Sequence, residues 1–281
     1  MDMNKRSKYW NSSADEAIGA YRKKLGLTQI ALILMILSII ALAWGRIFTD
    51  AVGAGLYWAS ILAILFCAFG IRLYKQILLG RLLAILYTDC DPVKFVPVAR
   101  FLQSLDRKGK GRITLGIYLC QGLYYAGDFR GAAQVLSSLT LTPRTQPVLA
   151  AIYYNMAANL DTAMGYIGRI PGYREAVRSL YPQNKPNSSL AKTILACLDI
   201  LDACQMEQNG DTQGLRQFLD RQLTRATHPF QAVTVRFKLG RICLASGERE
   251  SARNHLKFAA RYGGTMYQAK EARELLAQMD H

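Results

Sequence analysis

Histidine is nearly missing from this chain. Only His228, His255 and His281 occur in 281 residues, and none stands in a recognisable catalytic arrangement. The six cysteines are scattered, with no CxxC pair and no Cys/His cluster, which argues against a zinc site or a disulfide framework and fits a reducing compartment. Cys197 and Cys204, seven residues apart on an expected helix, read as packing residues. There is no GxSxG elbow, no HExxH, no Walker loop and no GxGxxG after a strand, and Gly109-Lys110-Gly111 lacks the flanking spacing of a phosphate loop. These absences weigh against an enzyme and leave no cofactor to expect.

Acidic residues are also in deficit, 20 against 35 Lys and Arg, for a formal charge of +15. The excess lies mostly near two long apolar runs. Its sharpest cluster is Arg107, Lys108, Lys110 and Arg112, on a Gly-rich connection with no interleaved aromatics. That composition fits anionic lipid or an acidic partner and not nucleic acid.

The apolar runs dominate what is present. Residues 27–45 and 51–71 carry no Asp, Glu, Lys, Arg or His, and each is long enough to cross a hydrocarbon core about 30 Å thick as a helix. Ten Leu or Ile residues in the first run and nine Leu, Ile, Val or Phe in the second favour insertion, outweighing Thr28, Gln29 and Ser38. Only residues 46–50 separate the runs, so a transmembrane hairpin with both termini on one side is expected. Lys5, Arg6, Lys8, Arg22, Lys23 and Lys24 precede it, Arg72, Lys75 and Arg81 follow it, and the turn offers only Arg46, which puts both ends in the cytoplasm. The expected location is a plasma membrane of bacterial type. A cleaved signal peptide ending near Ala41-Leu42-Ala43 is the rival, and the 26-residue approach and the immediate second span count against it.

Residues 1–26 read as a basic tail. Ser13-Ala14-Asp15-Glu16 has the form of a capping box that starts a short amphipathic helix through Ala17, Ile18, Tyr21 and Leu25. Arg22, Lys23 and Lys24 then stand beside the bilayer, where anionic headgroups attract cations. Residues 72–112 read as a helical stalk and first helix pair, since the apolar pattern runs through Leu73, Ile77, Leu78, Leu82, Leu83 and Leu86 without proline until Asp89-Cys90-Asp91-Pro92 stops it. Asp89 and Asp91 also resemble the DxD metal motif of membrane glycosyltransferases. The strand-rich fold such a motif needs is not in evidence, and a membrane enzyme of lipid-linked or nucleotide-sugar metabolism is kept as the alternative.

Downstream, Gly127-Asp128, Gly210-Asp211 and Gly247-Glu248 each end one apolar stretch and begin another: a Gly at positive φ closes a helix and an acidic residue caps the next. The intervals are 83 and 37 residues, so a further unit is expected in between, over residues 147–170, with Ala163 as its small packing residue. Residues 181–189, YPQNKPNSS, read as an inserted loop, and residues 266–279 as a polar-backed capping helix.

In spacing, Leu239-Gly240, Gly247, Ala252, Leu256 and Ala259 resemble the tetratricopeptide repeat, with Arg236 in place of its opening Trp. Leu119, Gly127, Ala132 and Leu136 fit the same pattern, with Cys120 and Leu139 at two of its small-residue positions and Leu215 at another in the unit of Gly210. The resemblance covers residues 113–281 and implies an all-α chain, a two-helix transmembrane hairpin followed by a solenoid of helix pairs. It also implies a groove for a protein or peptide ligand, at positions Gln121, Tyr124, Tyr125, Asn155 and Arg241. The expected role is an adaptor or scaffold recruiting a partner at the membrane; a structural subunit of a membrane complex, packed through Ala59, Ala63 and Cys67, is a further alternative.

Overall fold

The computed structural model describes all residues except 1, 2, 4, 5, 49–53, 107, 108, 110, 167 and 281. Among the described residues the chain is helical throughout, with no strand. It divides into two units, one of Lys8–Ala84 and one of Met1–Ser7 with Ile85–His281.

The smaller unit holds two long helices, α1 (Ala14–Phe48) and most of α2 (Ala54–Tyr87). The capping box is formed at the start of α1: Glu16 N donates to Ser13 Oγ at 3.1 Å and Ser13 N to Glu16 Oε2 at 2.8 Å. Two free amides of the first turn are thereby satisfied. The short helix expected here has no end of its own, because nothing between Arg22 and Leu27 breaks the backbone ladder, and it runs on into the apolar segment. Both helices are long and apolar enough to span a membrane. Leu34, Leu37, Ile40, Leu62, Leu65 and Phe66 are exposed along them, as expected for surfaces that face lipid. The hydroxyls inside the first apolar run are satisfied within their own helix, Thr28 Oγ1 donating to Leu25 O at 2.7 Å and Ser38 Oγ to Leu34 O at 2.9 Å. The turn expected at residues 46–50 falls partly outside the described residues, and α1 itself continues to Phe48.

The larger unit is built from α3 (Pro92–Leu105), α4 (Arg112–Ala126), α5 (Phe129–Ser137), α6 (Pro147–Met164), α7 (Ile170–Arg178), α8 (Ser189–Asn209), α9 (Thr212–Arg225), α10 (Pro229–Ala245), α11 (Arg249–Tyr262) and α12 (Tyr267–Asp280). Helical hairpins follow one another along the chain. Gly127 and Gly210 close α4 and α8 at φ 89° and 72°, the left-handed region a side chain resists, and Asp128 and Asp211 then cap α5 and α9 by accepting from Gly131 N at 2.8 Å and Gly214 N at 2.9 Å. The stretch expected to hold the intermediate unit, 147–170, contains α6 and only the first residue of α7, which runs on to Arg178.

Two local expectations are corrected. Ala163 is exposed in the last turn of α6, on the first helix of its pair, and is not a buried packing residue; Ile170 and Val177 carry the burial on α7. Glu248 does not cap α11, because its carboxylate is engaged by both terminal nitrogens of Arg216 on α9, at 2.5 and 3.0 Å.

Small residues sit where helices cross closely. A Cβ on Gly240 would lie 2.8 Å from the Leu256 side chain, and Ala252, Leu256 and Ala259 are fully buried beneath α10. In the earlier hairpin Cys120 takes the equivalent place, fully buried with its Sγ 3.4 Å from Ala132 O. A core cluster of Ala158, Ile170, Val177, Ile194 and Leu201 joins α6, α7 and α8.

The last helices return to the first. Thr265, between α11 and α12, donates its amide to Cys90 O at 3.1 Å and its hydroxyl to Asp91 Oδ1 at 2.7 Å. Neighbouring Gly264 lies so near that a Cβ would stand 2.5 Å from Cys90 O. Tyr267 of α12 meets Tyr124 of α4 edge to face at 5.8 Å and Phe129 at 5.1 Å. Thus α12 is not a free terminal cap. Its aromatic residue and the 263–265 corner fasten the end of the row to its beginning.

Candidate binding chamber

The inner faces of α4, α6, α8, α9 and α10, with Tyr87 from the end of α2, line a half-open cavity of about 560 Å³. Each helix contributes a stripe at three- and four-residue steps, such as Ile152, Asn155, Met156 and Asn159 on α6 and Gln231, Thr234, Val235 and Lys238 on α10. One wall is aromatic. Phe230 receives Tyr125 at 4.2 Å and Tyr87 at 5.4 Å, while Tyr87 donates its hydroxyl to Gln121 Oε1 at 2.7 Å.

The polar groups are few and placed. Asn155 is only 8 % exposed, and its Oδ1 has no hydrogen-bond partner. A buried carbonyl left without a donor costs about 1–3 kcal/mol, so a ligand N–H or O–H arriving there would recover that loss. Lys238 Nζ is 2.7 Å from Glu207 Oε2. Burial works to lower the Lys238 ammonium, yet the Glu207 carboxylate outweighs it and leaves the group above its ordinary range. Lys238 thus reaches the lining with its charge balanced by Glu207, which borders the neighbouring hollow. Burial pushes the Cys197 thiol up to about 11 and raises Cys204 in the same direction, so both remain thiols near neutral pH and are not activated nucleophiles.

Of the five groove positions, Gln121, Tyr125 and Asn155 meet in this chamber. The other two do not. Tyr124 is 5 % exposed and turned outward into a packed cluster with Phe129 and Tyr267, where burial raises its phenol. It is a core residue at the α4–α12 junction. Arg241 is exposed over the Phe237 ring at 5.9 Å and borders a separate hollow with Gly210 and Asp211. Asn159, Gln222, Gln231, Thr234 and Lys238 line the chamber although sequence reading did not single them out. Extending each helix stripe by one turn from Asn155 finds Asn159, the one signal available.

Asp89 and Asp91 are occupied by the fold. Asp89 is 1 % exposed and accepts from Ser7, through its amide at 2.7 Å and through its hydroxyl. Asp91 caps α3 by accepting from Lys94 N at 3.1 Å, pairs with the Lys94 ammonium at 3.5 Å and accepts from Thr265. Among the described residues no group of three or more His, Cys, Asp or Glu is arranged to hold a metal ion.

Of the basic residues, Arg22 and Lys23 are exposed on α1, Lys24 is half-buried there, and Arg112 opens α4. Arg107, Lys108 and Lys110 lie outside the described residues. Asp106 anchors what is seen of that connection, accepting from Gly111 N at 2.7 Å.

No family model, no curated protein and no solved structure matches the chain.

Proposed function

We propose that the chain is an adaptor held in a membrane by α1 and α2, whose helical hairpins capture a protein or peptide partner in the central chamber. The single observation that carries this reading is the convergence of Gln121, Tyr125 and the partnerless Asn155 carbonyl on one preformed cavity. The likeness of 113–281 to tetratricopeptide repeats supports it, since first helices of successive pairs line the inner face in such a solenoid, as α4, α6, α8 and α10 do here beside α9, the second helix of its pair. The basic residues flanking the spans orient both termini, and with them the chamber, toward the cytoplasm. Anchoring raises the effective concentration of any membrane-associated partner without adding a contact.

A photo-crosslinking residue at Gln222 in the chamber, compared with one at exposed Lys257 on α11, tests the proposal in native membranes. An adduct of defined mass is expected from position 222 and not from 257, and Asn155→Leu with Tyr125→Ala should abolish it. An adduct that survives the double substitution, or none at all, removes the chamber as the capture site.

One observation favours a second reading, a structural subunit. The cleft between α1 and α2, about 640 Å³ and lined by Ala31, Leu34, Ala63 and Cys67, is wide enough for apolar side chains of another membrane helix. Oxidative crosslinking at Cys67 that yields a heterologous adduct would support it; an unmodified Cys67 would not.

A further inference from the structure

The α1–α2 pair brings cations from three chain segments to one level. Both helices leave the same short connection, so residues equidistant from it are level: Lys24 with Leu78, and Tyr21 with Arg81. Lys24 and Arg81 therefore differ in height by about 4.5 Å, roughly one turn beyond the cleft mouth at Leu27, Thr28 and Tyr74. The segment before α1 folds back here. Ser12 N donates to Tyr9 O at 3.1 Å, and Tyr9, Ala17, Tyr21, Leu78 and Leu82 are buried, which holds Lys8 against the helix pair. Lys8 has the Lys24 ammonium and the Arg81 guanidinium for charged neighbours, Lys24 the stronger influence, and their repulsion holds its ammonium below the ordinary range. Among the described residues none of the three forms an ion pair with an acidic side chain, although many cations elsewhere in the chain do.

Three like charges with no acidic partner among the described residues, where the apolar spans end, are stabilised by an anion that lies at that depth. We propose that Lys8, Lys24 and Arg81 form a clamp for a phosphate group at the membrane boundary. The guanidinium supplies a planar pair of donors and the two ammonium groups supply point charges, a set suited to a phosphate diester or monoester oxygen triad. The inference rests on reading α1 and α2 as membrane spans.

The test uses the full chain in nanodiscs of phosphatidylcholine alone or with phosphatidylglycerol, with retained lipid counted by native mass spectrometry and melting followed in parallel. Wild type should retain phosphatidylglycerol. Lys24→Gln with Arg81→Gln should bind it about thirtyfold more weakly, whereas Lys23→Gln, on the exposed face, and Lys24→Arg should keep it. Stabilisation by inorganic phosphate in phosphatidylcholine discs would assign the clamp to a soluble phosphate instead of a headgroup. A loss in Lys23→Gln equal to that of the double variant, or no response to either phosphate source, overturns the clamp. Release of the chain by alkaline wash would overturn the spanning reading itself, an outcome separate from a disc-embedded protein without phosphate preference.

Discussion

Tyr125 and Phe230 meet with ring centroids 4.2 Å apart at an interplanar angle of 67°, joining α4 to α10 across 105 residues of sequence and closing one side of the chamber. This contact couples the chamber to stability. Phe230→Ala should lower the unfolding free energy by about 3–5 kcal/mol, since Phe230 is 8 % exposed and also receives Tyr87. Chemical denaturation of the detergent-solubilised chain measures it, and a change under about 1 kcal/mol, the size of a surface effect, would mean the aromatic wall is not part of the core.

The junction between Thr265 and Asp91 should behave as a coupled pair. Thr265→Val removes the exposed hydrogen bond to Asp91 and the one that Val93 N donates to the same hydroxyl at 3.3 Å, and is expected to cost about 1 kcal/mol; Asp91→Ala loses its bond to Thr265 and the α3 cap and should cost about 2 kcal/mol. A double-mutant cycle is expected to give a sum less than additive. Strict additivity would show that the two residues do not interact in solution.

His255 sets an acid-side sensitivity. Burial, then Arg236 nearby, holds its pKa below 6.5, and its Nδ1 is buried without a partner. The folded state thus binds the imidazole proton less readily than the unfolded chain. Its contribution is complete above the unfolded value of 6.5 and declines as pH falls through that value toward the lower folded pKa. Melting temperature should drop between about pH 7 and pH 5, and His255→Gln should flatten that slope. An unchanged slope would reassign the effect to carboxylates.

The chamber cysteines should be slow to react. With Cys197 pushed to about 11 from 9.0, its thiolate fraction near neutral pH is roughly a hundredfold lower than that of a free thiol. Timed maleimide labelling read by peptide mass should find exposed Cys67 modified well before Cys197 in detergent. Equal rates would mean the chamber opens freely.

How far the sequence anticipates this architecture depends on the range of the forces involved. The capping box at Ser13 and Glu16 and the turns at Gly127-Asp128 and Gly210-Asp211 are decided within four residues, and they are readable directly. So is the continuation of the second apolar run into one helix to Tyr87, because no breaker interrupts it. The junction of Cys90 with Thr265 is different: it forms between segments 175 residues apart, and nothing in either segment names the other. Tyr124 and Tyr125 are alike in chemistry, but one residue rotates the helix by about 100°, so one faces the chamber and the other the α12 interface. Pattern places both on α4 without saying which direction is inward. Arg241 was misplaced for a related reason, since the chamber follows the stripe ending at Lys238 and stops a turn earlier.

Because Asp91 and Cys90 hold Thr265, the hairpins form a loop with no loose end. A spring of stacked helices adapts its pitch to whatever it wraps, whereas a hoop cannot lengthen without unhooking. On the proposed capture of a partner, an occupant would have to match an opening whose width is set beforehand, and selection would be by gauge, with Thr265 and Tyr267 together keeping the ends joined.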